Sequence, residues 1–479
     1  MKGRVDAVLF DLDNTLVNSK TLKKFRENRD RQGLTDALKS IKPYKNTTAL
    51  LEGIKKKGIL LGLITNSPKW YAEEVISHIG IELFDVVITY DDVGPNGIKP
   101  SPEGINKAII ELGLNKNNNI IYIGDEFTDM NAAYYAGVKP IAPSWASRDP
   151  ISQMPAAVMC TNNLLRQLDS FENIALIADL SADKGTFQFE KEQLNFAPLD
   201  QYGNVVSANR DEIFTVCFGR YFSQSGLLTS SYHQHHNLSK TIYEKEKNST
   251  FVAPEYWVEL LSKAITSLPK FFLECNQNFD IITVIPSKKG RNPRLENLLS
   301  RIERNAKHSS DFIKDIFYFD DDAQSLKSLG NKERREEEVN NKLHLKKKYQ
   351  EYIRGKKVVV IDDVITTGST LRRASNLLLD NGAERVINLC LAKTVSVIED
   401  FNYCPECGKV MKIRRNKKNV PFWACSGYFD KVNKCTHTEP VFLKPCPSNC
   451  GGNLITKSGS NLFAGCTSYP KCMYTEKLE

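Results

Sequence analysis

The sequence predicts a multidomain α/β chain, with two parallel-sheet domains in succession followed by a pair of small cysteine-rich modules. Three observations lead there. The 479 residues exceed what one hydrophobic core can hold, and at ~150 residues per domain they suggest about three. Short apolar runs alternate with helical patterns over residues 1–172 and again over 206–398, as in parallel sheets flanked by helices. Eight of the 12 cysteines fall between Cys404 and Cys472.

Hydrophobic residues make up 41% and charged residues 25% of the chain, a globular composition. No run approaches the ~20 apolar residues of a membrane span. The opening MKGRVDAVLFDLDNTL is interrupted by carboxylates and reads as a strand, not a signal peptide. The expectation is a cytoplasmic protein without a membrane partner. Clustered cysteines in such a chain point to metal ligation and not to a disulfide framework. The formal charge is +8, and residues 401–479 carry most of it, with 12 Lys+Arg against 5 Asp+Glu.

In the first domain VDAVLF, GILLGLIT, FDVVIT and NIIYIG read as buried strands. LLEGIKKKG, KWYAEEVISHIG, PEGINKAIIELG and MNAAYYAG read as the helices between them. AAVMCTNNLLRQLDSF supplies a last edge strand and a closing helix to residue 172. Residues 173–205 show no strong pattern and read as a connector. In the second domain DIITVIPS, GKKVVVIDDVITTG and RVINLCLAKT read as strands, and STLRRASNLLLDNGA as a helix. The charged run 320–350 reads as a solvated helix or loop.

VLFDLDNTL sets Asp11 and Asp13 directly after the first strand. Alternate residues of an extended segment share a face, so both carboxylates point the same way, where ligands bind beyond strand ends. One can attack phosphorus and the other can protonate the leaving oxygen. Attack on a phosphate dianion also needs a divalent cation and a lysine. Thr65 in LITNS, Lys99 in GIKPSP, and Gly124, Asp125 and Asp129 in IIYIGDEFTDM complete the set in order. Together these four motifs resemble the haloacid dehalogenase (HAD) superfamily, with its Rossmann-like sheet. The resemblance implies Asp11 as nucleophile, Asp13 as acid/base, and Thr65 and Lys99 as phosphoryl-holding groups. It further implies magnesium on Asp11, the Asp13 carbonyl and Asp125, with Asp129 in support. Only 49 residues separate Thr15 from Thr65, and 33 separate Thr65 from Lys99. That leaves room for a short flap around 20–31 and for an open site suited to a bulky substrate.

VVVIDDVITTGST, residues 358–370, is an apolar strand, two aspartates and a hydroxyl-rich loop opening a helix. Asp362 and Asp363 suit two ribose hydroxyls. The amides and hydroxyls of Thr366, Thr367, Gly368, Ser369 and Thr370 can cradle a phosphate. This run resembles the PRPP signature of type I phosphoribosyltransferases, and the spacing over roughly 210–395 resembles their ComF-like branch. Landmarks of that branch are FGRYF at 218–222, the VIPS loop, and Gln324, Leu329 and Arg334. It implies a pyrophosphate loop at Ser287 and Lys288, with Lys289, Arg291 and Arg294 nearby. The partners it implies are PRPP and a nucleobase or nucleotide, with magnesium on the pyrophosphate.

At the end of the chain, Cys404, Cys407, Cys425 and Cys435 form one set of four thiolates, and Cys446, Cys450, Cys466 and Cys472 a second. Each suffices for a closed tetrahedral zinc site, so two structural zinc ions are expected, in modules 399–440 and 441–479. Both modules resemble the C-terminal zinc ribbons of type IA topoisomerases. That resemblance implies single-stranded DNA or RNA as a partner, with Trp423, Phe463 and Tyr469 (and Phe422 and Tyr428) stacking on bases and Arg414 and Arg415 on phosphates. The leading expectation is a bifunctional enzyme of nucleotide or nucleic-acid metabolism. Two alternatives stand beside it: a PRPP- or nucleotide-sensing regulatory or antiphage-defence protein with a phosphatase effector, and an end-processing phosphatase of nucleic-acid repair.

Overall fold

The computed structural model describes the chain apart from residues 1–2, 188–193, 208, 225–226, 274–277, 307–308, 324–331, 397–401, 408–409, 430–433, 449 and 479. Residues 1–397 form one compact unit and 398–479 a second.

The first sheet contains β1 (Ala7–Phe10), β2 (Leu60–Ile64), β3 (Val86–Ile88), β4 (Ile120–Ile123), β5 (Lys139–Pro143) and β6 (Ala157–Met159). Their order is β3-β2-β1-β4-β5-β6, all parallel. Strand order reverses between β1 and β4, and a ligand crevice forms at such a switch point. Strand β5 was not legible in the sequence. Pro140 and Pro143 argue against a strand, yet Pro140 pairs with Tyr122 in the ladder, and its carbonyl accepts from the Ala156 amide.

The second sheet uses β7 (Ala197–Leu199), β8 (Thr215–Cys217), β9 (Arg220–Tyr221), β10 (Ile281–Val284), β11 (Asp311–Phe312), β14 (Lys357–Ile365) and β15 (Arg385–Thr394). Their order is β11-β10-β14-β15-β8-β7, with β9 also on β15; only β7 runs antiparallel. Strands β12 (Phe317–Phe319) and β13 (Leu343–Leu345) pair antiparallel as a separate two-stranded sheet. Within the charged run 320–350, residues Lys332–Lys342 are helical. Gln324 and Leu329 lie outside the described residues, as does the side chain of Arg334.

Residues 173–205 are not a passive connector. They supply the helix Ile177–Lys184 and strand β7, and Leu176, Ile177, Ala197 and Leu199 are buried. One continuous core runs from Met130, Tyr134 and Ala142 of the first domain through these residues to Val358–Ile361 of the second. The Tyr134 hydroxyl donates to the Met154 carbonyl (2.6 Å) and receives from Arg220 (3.3 Å), whose guanidinium also pairs with the buried Asp179 at 2.7 Å. Asp179 is held below the usual carboxylate range, because Arg220 and His236 outweigh the effect of its burial. The histidines at 233 and 236 are largely internal. His233 is buried against the Phe222 carbonyl, and His236 caps the helix Asn237–Lys247.

In the second unit each ribbon is a four-stranded antiparallel sheet. The first comprises Asn402–Tyr403, Val410–Arg415, Pro421–Cys425 and Thr438–Pro440. The second comprises Phe442–Pro445, Asn453–Ser458, Leu462–Cys466 and Thr475–Lys477. No helix among the described residues is long and apolar enough to cross a membrane.

Candidate active sites

The first site lies at the carboxyl ends of β1, β2 and β4. Asp11, Asp125 and Asp129 are all buried, and their carboxylate oxygens fall within 4.8 Å of one another. Lys99 Nζ reaches Asp11 at 2.5 Å, Asp129 at 2.6 Å and the Tyr122 hydroxyl at 3.0 Å. Asn66 fixes Lys99 by bonding both its amide and its carbonyl. The Thr15 hydroxyl donates to Asp125 at 3.0 Å, and Thr65 is buried at the end of β2. Gly124 is required: a Cβ there would lie 2.3 Å from the Asp129 carboxyl carbon.

Three buried carboxylates face one ammonium, which leaves a charge deficit. Burial pushes Asp11 well above its ordinary pKa, Lys99 opposes this, and Asp129 and Asp125 add to it. Burial, with Asp129 next, raises Asp125 to about 8. An all-oxygen, three-carboxylate cluster of this kind fits magnesium, which would favour the ionised state of Asp11 and Asp125.

Asp13 belongs to a different network. Its carboxylate accepts from Arg26 (2.8 Å), Ser67 Oγ (2.6 Å) and the Tyr71 hydroxyl (2.8 Å), so the side chain is not part of the metal cluster. Arg26 comes from the flap, which is a 3₁₀ turn Lys20–Leu22 and helices Lys23–Glu27 and Arg31–Leu38. The flap is thus longer than expected, and no local pattern marks the contact of Arg26 with Asp13. The cleft measures about 360 Å³.

At the second site, Asp362 and Asp363 lie on β14, and the loop that follows enters the helix Ser369–Asp380 through Gly368. Gly368 has φ of +72°, and a Cβ there would lie 2.8 Å from the Gln201 carbonyl oxygen. The Thr366 and Thr394 hydroxyls are 3.1 Å apart, while Ser369 and Thr370 open the helix. The expected division of labour changes here. Asp363 is buried and paired with Lys245 and Arg294, each at 2.8 Å. These two cations hold it far below the usual carboxylate range despite its burial, whereas burial and the Asp363 charge push Asp362 up to about 7. Lys245 lies on the helix Asn237–Lys247, more than 100 residues before Asp363 in the chain, and no sequence signal marks it. Ser287 bonds Glu296 through both its amide and its hydroxyl, and Lys288 lies over the Phe319 ring at 4.9 Å. Of the basic loop candidates, Arg294 reaches the aspartate pair.

One loop edges both sites. At one end Trp145 Nε1 donates to the Thr15 carbonyl (3.0 Å), and Asp149 pairs with Lys20 (2.9 Å) in the first cleft. At the other end the Ser152 carbonyl accepts from Lys393, and Gln153 donates to the Ser396 carbonyl. Arg148 is buried among carbonyls alone, donating to Val205 and Val206 (both 2.7 Å) and to Pro143 (3.3 Å). Burial depresses its pKa to about 10. The segment it grips continues back to Gln201, whose carbonyl accepts from Arg372 beside Gly368.

In the second unit the Sγ atoms of Cys404–Cys435 and Cys407–Cys425 are 3.5 and 3.3 Å apart. Those of Cys446–Cys472 and Cys450–Cys466 are 3.7 and 3.4 Å apart. These spacings are too long for disulfides and near the edge of a zinc–thiolate tetrahedron with bonds of about 2.3 Å. Amides of Gly427 and Ser468 donate to the sulfurs of Cys425 and Cys466. Trp423, expected as a stacking residue, is instead core: it pairs with Ile413 and is 8% exposed. Side chains alternate across the strand, so Arg414 and Phe422, which pair with each other, share the opposite face. Arg414 and Arg415 are exposed; Tyr469 is 61% exposed with Lys457 over its ring; Phe463 is half-buried.

A buried cluster of three carboxylates and a lysine thus sits at the switch point of the first domain's parallel sheet. Comparison with known proteins agrees. Residues 20–142 match the haloacid dehalogenase-like hydrolase family, 261–406 the phosphoribosyl transferase domain, and 402–441 and 444–479 the topoisomerase DNA-binding C4 zinc finger. The chain therefore joins a HAD-type hydrolase domain to a phosphoribosyltransferase domain and two topoisomerase-type C4 zinc ribbons. Pyrophosphatase PpaX of Bacillus cereus is 26% identical over 185 residues, which span 30% of this chain and 84% of that protein. N-acetylmuramic acid 6-phosphate phosphatase of Pseudomonas aeruginosa is 32% identical over 102 residues, 21% of this chain and 44% of that one. CbbY of Rhodobacter sphaeroides, solved with phosphate, shares 20% identity over 31% of this chain and 93% of its own, with a TM-score of 0.25.

Proposed function

We propose that the protein is a bifunctional enzyme of nucleotide or nucleic-acid metabolism, with a magnesium-dependent phosphohydrolase site and a PRPP-dependent phosphoribosyltransferase site, directed to nucleic acid by its ribbons. The convergence of Asp11, Asp125 and Asp129 on Lys99 carries the phosphohydrolase reading, and relatives named as phosphatases support it. Asp11 attacks phosphorus, Asp13 supplies the proton to the leaving oxygen, and Thr65 and Lys99 hold the phosphoryl oxygens. Asp11, the Asp13 carbonyl and Asp125, with Asp129 behind them, would hold magnesium, which would supply charge neutralisation at the phosphoryl group. In the transferase, amides and hydroxyls of 366–370 hold the 5′-phosphate at a helix N-terminus, and Asp362 and Asp363 face the ribose. Phosphate release from phosphorylated nucleotides and oligonucleotides by wild type and Asp11→Asn tests the first site; equal rates would refute it.

A second reading, in which residues 358–370 sense PRPP without turnover, is favoured by one observation: Asp363 is already occupied by Lys245 and Arg294. Calorimetry with PRPP, followed by a pyrophosphate-release assay, separates the two readings. Binding with release supports the transferase, and binding without release the sensor. For the ribbons, Phe422→Ala should weaken single-stranded oligonucleotide binding by about 1–3 kcal/mol, with affinity falling steeply in salt. An unchanged, salt-independent affinity would count against nucleic acid as their partner.

A further inference from the structure

Three donors hold the Asp13 carboxylate, and they divide unevenly between its two oxygens. Oδ2 accepts from Arg26 (2.8 Å) and from Ser67 Oγ (2.6 Å). Among the described residues Oδ1 accepts from the Tyr71 hydroxyl alone, at 2.8 Å. A carboxylate has about four lone-pair sites, shared equally by its oxygens. Oδ2 has both of its sites engaged, and Oδ1 keeps one for a proton exchanged with a ligand. The oxygen that can work on a substrate is therefore the one that Tyr71 holds.

A second, independent observation concerns where the donors stand. Arg26 rides on the flap and lines the cleft, as does Ser67 from the loop after β2. Tyr71 is fully buried in the first turn of the helix Lys69–Ile79, with its ring in the core of the first domain. Trp70 meets that ring edge-on with centroids 6.0 Å apart, and the Arg26 guanidinium lies 5.4 Å from its centroid. A close-packed ring keeps its hydroxyl in one place. The Asp13 backbone is fixed as well, by a bridge to Val17 and a turn in which Asn14 has φ of +55°. The position of Oδ1 is thus set from the core and not from the flap.

Resting on the hydrolase reading above, we propose that Tyr71 is a positioning residue for proton transfer, aiming Asp13 Oδ1 at the leaving oxygen without touching substrate. Asp11 forms a bond to phosphorus as the P–O bond to the leaving group breaks. The proton on Oδ1 passes to the departing oxygen. Water then attacks the aspartyl phosphate, Oδ1 takes a proton from that water, and Asp11 is freed with orthophosphate. The sum is a phosphate monoester plus water giving an alcohol or phenol and orthophosphate. A displacement of about 1 Å in a reacting group costs on the order of 10²-fold, so one buried hydroxyl can carry a measurable share of the rate.

The test uses the full chain with magnesium and two substrates of nearly the same shape, phenyl phosphate and p-nitrophenyl phosphate. Phenol is the poorer leaving group and departs with a proton; p-nitrophenolate departs as a stabilised anion and needs none. Tyr71→Phe keeps the ring and removes only the hydroxyl. It should lower kcat/KM for phenyl phosphate about tenfold and leave that for p-nitrophenyl phosphate within about threefold. Asp13→Asn should show the same selectivity with a larger loss. An equal loss on both substrates in Tyr71→Phe, as a merely structural role would give, overturns the proposal, and so does no loss on either. If Asp13→Asn is itself unselective, the acid role assigned to Asp13 falls and the proposal with it. No release from either substrate by wild type would instead overturn the hydrolase reading.

Discussion

The two candidate sites of the first unit each carry two aspartates in or just after the C-terminal part of a parallel strand, and they are balanced oppositely. In the hydrolase, three buried carboxylates share one lysine, so the site is short of positive charge and calls for a metal ion. In the transferase, one carboxylate of Asp363 takes two cations, so the site is neutralised before any ligand arrives. The difference teaches that the identity of the strand-end residues sets the chemistry available, while residues from distant helices set the charge state in which it waits. A hydrolase site so arranged gains most from cation binding; under the proposed transferase function, Asp363 would exchange partners when PRPP enters.

The sharpest test of that contrast is Asp11→Asn. It should lower phosphate release by about 10³-fold or more, the scale of removing a group that acts at the reacting centre, and leave PRPP binding unchanged by calorimetry. A loss of both would show that the sites are not separable. Asp363→Asn should do the reverse. Stripping the carboxylate from two buried cations should destabilise residues 1–397 by about 3 kcal/mol, read as a lower urea midpoint. Because one core joins the two domains, hydrolase activity should be lost at that same lowered midpoint; independent midpoints would break the shared-core account. Arg148→Met removes a donor shared by three carbonyls, of which Val205 keeps the Ile151 amide, and should cost about 2 kcal/mol, with PRPP affinity falling in parallel. The smallest effect concerns zinc. Removing it with a zinc-selective chelator in excess magnesium should unfold 398–479, since modules this short depend on metal, and leave hydrolase turnover on small substrates within about twofold. A large drop would tie the ribbons to the site.

Much of this was legible beforehand because it is local. A strand, its terminal aspartates and the loop after them are contiguous in sequence, so Asp11, Asp125, Asp362 and the 366–370 loop stood out, as did the cysteine pairs of both ribbons. Strand β5 was hidden by Pro140 and Pro143, whose ring constraints argue against the ladder they in fact join. The 173–205 segment was hidden although Ile174–Ala178 is a continuous apolar run, because only the tertiary structure shows that its residues are buried at the junction of the two domains. Trp423 was misplaced because an aromatic residue beside a basic strand suits either face, and only the pairing with Ile413 shows that it points inward.

By itself the sequence determined which chemistries are present, since nucleophile, phosphate loop and thiolate sets are each written as short runs whose spacing is fixed by the strand and turn that carry them. Only the tertiary structure decided how those chemistries are tuned and joined. Arg26 on Asp13, Lys245 on Asp363 and Arg148 on the 205–206 backbone are contacts across 13, more than 100 and 57 residues. Charges so placed act through distance and burial, which depend on how the two domains close over one core and not on the order of residues along the chain.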